Sequence, residues 1–526
     1  MPSKQTFFPA SVFAIVLLGA FAARGIAAES TGALPDGTYR YDVTVDGRSV
    51  GESTIVIQRN GGTITMGESA SVGGVALVSH RTLDESTFAT LGYVVDIGAT
   101  HAGVTFLGNQ ATLTQAGAHA RIFAAPGAPF FVNDNMVGGF AQVPATLHAS
   151  STNKLTLACV ACGGFVAIRL DATNESSGNV TLRIKGIAVA LHFDPHTYVL
   201  ARADVPAQHA TFTLTSYDPH VSALPQPVLP TPLPLPPARY TSRDVTIRAD
   251  DGVMLAGTLT MPNAARGLVP AFVFVHGSGC LDRDETVGPN KIFAQLANRL
   301  SSDGYAVLRY DKRSCGRSGG TFAVRERLIR DAGDVIAYLR AQPGVDPARI
   351  FVLGHSEGGE LAPSIAIADG RLRGIVLLAP PAFPLEKILM QQTLRDIDAS
   401  ARAATQREEQ TQLDAIAAGK SPGAANAWLR SSFGIDPAAI IARVPCPILI
   451  VQGTKDIQVL AADTPRLVAA ARAANRTVSV VMLQGDDHLF IALPPDEQST
   501  GVEYYTPSYL DPALFLAIES WLAGQM

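Results

Sequence analysis

Three residues far apart in the chain have the types that nucleophilic catalysis needs: Ser356, Asp456 and His488. Ser356 sits in Gly354-His355-Ser356-Glu357-Gly358, after the apolar run Arg349-Ile350-Phe351-Val352-Leu353 and before Gly359-Glu360-Leu361-Ala362. That reads as a strand, a sharp turn and a helix, with the serine at the apex. A serine hydroxyl is a poor nucleophile until a base takes its proton, and the turn lifts it to where a substrate can reach it. Glycines two residues to either side let strand and helix pass closely. The five-residue pattern alone is weak, because a Gly-rich turn with an idle serine has the same letters.

The base and its partner lie downstream. Cys446-Pro447-Ile448-Leu449-Ile450-Val451-Gln452-Gly453 reads as a buried strand and leads into Thr454-Lys455-Asp456. An aspartate just past a strand's C-terminal end can orient a histidine and stabilise its charged form. The β-branched run Thr477-Val478-Ser479-Val480-Val481-Met482-Leu483 then precedes Gly485-Asp486-Asp487-His488. Asp456 also fits a turn former, and Asp486 and Asp487 are rival acids. A carboxylate adjacent to the histidine in sequence seldom reaches its Nδ1–H, which favours Asp456. The other ten of the eleven histidines lie in the N-terminal half or inside other motifs. A fourth element, Phe272-Val273-Phe274-Val275-His276-Gly277-Ser278-Gly279, is a buried strand ending in a glycine-rich loop. Such a loop can aim backbone N–H groups at a developing oxyanion. The donors are assigned to Ser278 and to Glu357, the residue after the nucleophile. His276 is read as ordering the loop, not as a base.

Taken together these motifs resemble the α/β-hydrolase superfamily, in its bacterial secreted esterase and serine-peptidase-like subset. The residues that carry the resemblance are His276-Gly277-Ser278-Gly279, Asp282-Arg283-Asp284, Tyr310-Asp311-Lys312-Arg313 with Gly316 and Ser318, and Gly354-His355-Ser356-Glu357-Gly358-Gly359. It runs from about Val245 to the C-terminus, with serine, acid and histidine in that family's order. The resemblance implies a Ser356-Asp456-His488 triad, an acyl-enzyme intermediate and no cofactor or metal. Two positions depart from the pattern: Cys280, where a proline commonly follows the loop, and Ser314-Cys315, where a glycine and an aliphatic residue commonly follow Lys-Arg. In a doubly wound sheet the two loops are neighbours. That placement suggests a disulfide between Cys280 and Cys315, which would brace the oxyanion loop in an exported protein; two free thiols are the alternative.

The elements that must position these residues occupy only part of the chain. Its 526 residues, 47% of them apolar, suffice for two or three domains with large cores. A net charge of −5 without clustered lysine and arginine excludes a nucleic-acid footprint. Lys4, the apolar stretch 11–22 and Gly25-Ile26-Ala27-Ala28 read as a signal peptide, residues 1–28, cleaved before Glu29. An uncleaved anchor is the alternative. The expectation is a periplasmic or extracellular protein with no stable membrane span after cleavage. Cys159 and Cys162 form a C-x-x-C without further ligands at zinc spacing, which reads as a small disulfide or two thiols. Asn133-Asp134-Asn135 reads as a polar loop.

Residues 29–220 show short alternating strands separated by Gly, Asn and Asp turns, an all-β domain built as an antiparallel sandwich or curled sheet. It is read as a wall near the substrate or a partner, or as a stability or export module. The proline-rich stretch within residues 221–240 is an extended, stiff linker. From 241 to 526 the texture is α/β. A hairpin opens onto strands at Ala271, Ala306, Ile350, Ile375, Ile448 and Val478, which alternate with helical stretches 290–301, 325–341 and 467–474. Alternation of this kind predicts a mostly parallel sheet with helices on both faces. Residues 383–442 are far too long for an ordinary βα connection and are expected to form a helical lid. Its Leu385, Ile388, Leu389, Leu394, Ile397 and Leu413 would line an acyl pocket or form helix core. The expected function is an exported carboxylesterase for modest acyl esters. The alternatives are a peptidase or amidase of the same fold, for which Glu357 would anchor an amine, and a non-catalytic binding protein using the β domain.

Overall fold

The computed structural model describes residues 33–525 apart from 73–74, 98–99, 108–109, 116–120, 125–129, 134–136, 151–153, 160–166, 177, 185–186, 207–208, 227–230, 264–265, 396–398 and 421–423. The expected signal peptide, Cys162, Asp134-Asn135 and Ile397 lie outside the described residues. The chain divides into two units, Met1–Pro230 with Thr393–Glu409 and Thr231–Gln392 with Gln410–Met526.

In the first unit a single sheet of fifteen strands places Gly37–Val45 in its middle, antiparallel to Arg48–Asn60 on one side and Ala210–Asp218 on the other. Tyr39, Tyr41, Val43 and Val45 are buried from this strand, the period of two that its alternation predicts. The expectation of an all-β domain needs one correction, because Val137–Ser150 is a helix. Gly138, Gly139 and Pro144 read as helix breakers, but tertiary contacts outweigh that. The N–H of Gly138 at the helix start donates to the buried Glu68 carboxylate at 3.1 Å, where helix-end N–H groups favour an anion. Phe140 meets Phe212 at 5.9 Å, and Gln142 donates to the carbonyl of Phe88 at 2.7 Å. Strands Thr63–Val72 and Ala210–Asp218 stand apart in the sheet, yet both touch this helix. The proline-rich linker is fastened on its N-terminal side, where Thr38 shares a 2.9 Å hydrogen bond with Ser222.

In the second unit, Tyr509 donates its hydroxyl to the carbonyl of Pro234 at 2.8 Å and Asn298 donates to Pro236 at 3.0 Å. An eight-stranded sheet follows: β1 (Tyr240–Arg248), β2 (Met254–Pro262), β3 (Val269–Val275), β4 (Ala306–Tyr310), β5 (Val345–His355), β6 (Gly374–Leu378), β7 (Ile448–Gly453) and β8 (Val478–Leu483). Their order is β1-β2-β4-β3-β5-β6-β7-β8, with β1 and β2 antiparallel and the remaining six parallel. Strand β3 shows why helices must cover both faces, since all seven of its residues are buried. Val273 and Val275 face a core shared with α2 (Arg325–Arg340), α3 (Glu357–Asp369) and α8 (Thr464–Ala473). Phe272 and Phe274 face the opposite core, with α1 (Ile292–Ser302) and α9 (Pro512–Ala523). Between β6 and β7 the chain inserts α4 (Leu385–Leu394), α5 (Ala399–Ala417), α6 (Ala424–Ser432) and α7 (Pro437–Ile441). Of the insert residues proposed for an acyl pocket, Ile388, Leu394 and Leu413 are buried, and Leu385 packs on the core beneath α2 and α3.

Candidate active site

Strand β5 ends at His355, Ser356 forms the turn, and α3 begins at Glu357. Ser356 has φ 54° and ψ −117°, outside the regions an L-residue prefers. Its N–H donates to the carbonyl of Leu378 on β6 at 2.9 Å, which helps hold the turn. The crossing has no room for a side chain. A Cβ on Gly358 would stand 1.9 Å from the carbonyl oxygen of Val275, and one on Gly354 would stand 2.1 Å from that of Gly358.

His488 and Asp456 follow β8 and β7. The Nδ1 of His488 lies 2.8 Å from Asp456 Oδ2, and both side chains are buried. The aspartate is fixed from every side: Gln452 Nε2 donates to Oδ2 at 2.9 Å, and the N–H groups of Gln458 and Val459 donate to Oδ1 at 2.8 and 2.9 Å. The rival acids have other duties. Asp487 Oδ1 accepts the N–H groups of Leu489 and Ile491 at 2.8 and 2.9 Å, shaping the loop around His488. Burial drives the Asp487 carboxyl well above the usual range. Asp486 is pushed up to about 8 by burial, with the Asp511 carboxylate beside it adding to the effect.

The turn and the histidine loop are joined by a residue whose role sequence reasoning missed. His355 Nε2 lies 2.9 Å from the carbonyl oxygen of His488, and its Nδ1 lies 3.2 Å from Glu285 Oε1. Burial opposes charge on His355, but Glu285 overcomes it and raises the imidazole pKa above its ordinary value. Burial likewise opposes charge on Glu285, and His355 overcomes it and lowers the carboxyl pKa. The same Oε1 accepts the Gly277 N–H at 2.6 Å. One buried ion pair thus links the glycine-rich loop, the serine turn and the histidine loop. Nothing in the sequence singles out Glu285 beyond its place after Asp282-Arg283-Asp284.

The glycine-rich loop backs directly onto Ser356. A Cβ on Gly277 would lie 3.3 Å from Ser356 Cβ. Among the described residues the N–H groups of Ser278 and Glu357 carry no hydrogen-bond partner. His276 is buried between the rings of Phe293 and Tyr310. Burial pushes its pKa down to about 4, leaving it a neutral wall of the loop. Cys280 and Cys315 form a disulfide with their Cα atoms 5.4 Å apart, tying this loop to the one after β4.

Each oxygen of the Glu357 carboxylate meets a side-chain donor. Lys312 Nζ meets Oε2 at 2.6 Å, and Trp428 Nε1 of α6 donates to Oε1 at 2.6 Å. Any amine bound by Glu357 would share this carboxylate with Lys312 and Trp428. Among the described residues no cluster of three or more His, Cys, Asp or Glu side chains is placed to hold a metal. No helix among them is long and apolar enough to cross a membrane.

A parallel sheet of this order, with a strained serine after β5 and a histidine–carboxylate pair on the loops after β8 and β7, defines a class. Residues 272–499 match the model of the alpha/beta hydrolase family, a span that includes Ser356, Asp456 and His488. Esterase EstD of Thermotoga maritima is 33% identical over 294 residues, covering 54% of this chain and 68% of that protein. Thiohydrolase aneE of Aspergillus aculeatus is 33% identical over 183 residues, 33% of this chain and 54% of that protein. Among solved structures, Est1E from Butyrivibrio proteoclasticus with ferulic acid bound is 18% identical, over 53% of this chain and 98% of that one, with a TM-score of 0.39. The chain belongs to the alpha/beta hydrolase family and is a hydrolase.

Proposed function

We propose that the protein is an exported carboxylesterase that cleaves modest-sized acyl esters through an acyl-enzyme at Ser356. The observation that carries this reading is the buried His488–Asp456 pair at 2.8 Å, on a loop fastened to the residue preceding Ser356. His488 Nε2 takes the Ser356 proton as Oγ bonds to the ester carbonyl carbon. The carbonyl electrons move onto oxygen, to which the N–H groups of Ser278 and Glu357 donate hydrogen bonds. The oxyanion then collapses, the carbon–alcohol bond breaks, and His488 returns the proton to the departing alkoxide. Water repeats the sequence on the acyl-enzyme, releasing the acid and restoring Ser356. Asp456 holds the imidazole with Nδ1–H inward and stabilises the imidazolium. The helical insert is read as the lid over this site. Export is supported by the apolar N-terminal segment and by a disulfide, which cytosolic thiol chemistry disfavours. Similarity to a protein named an esterase supports an ester substrate over a peptide.

The test is purified protein assayed against nitrophenyl esters of graded chain length beside aminoacyl anilides, with fluorophosphonate labelling. Ester turnover, labelling, and loss of both in Ser356→Ala by several orders of magnitude are expected. Absence of labelling in wild type would favour the binding-protein alternative, and preferred anilide cleavage would favour the peptidase.

A further inference from the structure

We infer that Lys312 is the positioning residue of the oxyanion hole, an inference that rests on the reading of Ser356 as nucleophile. The Lys312 side chain is only 5% exposed, and that of its ion-pair partner Glu357 is 10% exposed. Buried charge of this kind is costly unless every contact is satisfied. Lys312 Nζ makes two contacts, and each reaches one of the hole's two arms. It donates to the carbonyl oxygen of Gly277 at 2.8 Å and to the Glu357 carboxylate at 2.6 Å.

The first contact acts through peptide geometry. In a trans peptide the carbonyl and the following N–H point in opposite directions. An ammonium that draws the Gly277 carbonyl to one side therefore turns the Ser278 N–H to the other. Glu285 completes the grip by holding the Gly277 N–H at 2.6 Å, so the peptide planes on both sides of Gly277 are fixed. The second contact anchors the side chain of the residue that supplies the other N–H. The same carboxylate is held from the insert by Trp428 Nε1 at 2.6 Å. One ammonium thus joins the two donors of the hole through groups that never touch substrate.

A bland account competes with this one: Lys312 only neutralises Glu357. The two accounts separate in a double variant. Lys312→Met alone leaves the Glu357 carboxylate buried without its cation and is prone to misfold. Lys312→Met with Glu357→Gln leaves no orphaned charge, keeps an acceptor for Trp428, and still releases the Gly277 carbonyl. Active sites are counted by titration to completion with a fluorophosphonate, so that kcat refers to folded enzyme. The expected result for the double variant is a kcat lower by about 10- to 100-fold per titrated site, since losing one hole donor outright costs roughly 10²- to 10³-fold. KM should change less than about threefold, and affinity for a boronic acid that mimics the tetrahedral state should fall in step with kcat. A double variant whose kcat and boronate affinity stay within about threefold of wild type would overturn the inference and reduce Lys312 to a counterion. Wild-type protein that resists labelling would overturn the Ser356 reading itself, and the inference with it.

Discussion

Replacing Asp456 by asparagine tests the proposed triad most sharply, because the surroundings dictate how the new amide must sit. Asp456 is met by donors at every oxygen: two backbone N–H groups on Oδ1, and Gln452 Nε2 with His488 Nδ1 on Oδ2. An asparagine offers one oxygen and one NH₂. The backbone donors cannot turn away, so the oxygen takes their side and the NH₂ faces Gln452 and His488. Gln452 Nε2 loses this acceptor but keeps the carbonyl oxygens of Val459 and Gly453 at 3.1 and 3.3 Å. His488 relieves the clash by moving its proton from Nδ1 to Nε2. The imidazole is then neutral and in place, but the nitrogen that should take the serine proton already carries one. A wrong tautomer of this kind lowers kcat by about 10⁴-fold, or about 5.5 kcal/mol of barrier. The assay is kcat/KM on a nitrophenyl ester, with thermal melting to show that the fold persists. An Asp456→Asn enzyme retaining more than about a tenth of wild-type activity would refute the argument. So would a larger loss from Asp486→Asn or Asp487→Asn.

Three further outcomes follow from the geometry. Replacing Cys280 and Cys315 with serine opens a cross-link of sequence separation 35, which by chain entropy should cost on the order of 3–4 kcal/mol; equal denaturant midpoints for variant and oxidised wild type would contradict this. Gly358→Ala places a Cβ 1.9 Å from the Val275 carbonyl oxygen, so strand and helix must separate; a marked drop in melting temperature and active-site titre is expected, and an unchanged melting curve would show the crossing to be looser than described. Asp486 is pushed up to about 8 from 3.8, so the folded state keeps a proton that the unfolded chain releases, and its contribution to stability falls as pH rises between these values. Asp486→Asn should therefore flatten the stability profile from about pH 5 to pH 9 and exceed wild type at the alkaline end; urea titrations with parallel profiles would count against this.

The parts of this fold that were legible in the sequence are those where a local pattern and its tertiary setting agree. The uniformly apolar β3 and the helical periodicity of α2 point to one answer, a covered parallel sheet. The serine turn was legible because strand, glycine spacing and helix start coincide at one place. The sequence favours Asp456 as the acid only because Asp486 and Asp487 stand too close to the histidine in the chain, although all three carry the same chemistry. Only the donors around Asp456 and the turn bonds of Asp487 tell their roles apart. The helix Val137–Ser150 was hidden by Gly138, Gly139 and Pro144, since what outweighs their low propensity is a carboxylate on a distant strand. Glu285, Lys312 and Trp428 were illegible for the same reason. Each acts through a contact with a residue remote in the chain, and no local period marks a buried charge as a brace.

The placement of Gly37–Val45 in the middle of its sheet has a consequence for how the first unit comes together. Thr38 pairs with Val56 on one side and with Asp218 on the other. Its first neighbour is available within a hairpin, but its second arrives only after nearly the whole unit has been made. Contacts of such long range are slow to form, because the chain must close a large loop before any pairing rewards it. Until then the strand offers an unpaired edge, which is a hazard for misassociation. A nascent chain of this design thus remains unfinished until its last strand emerges.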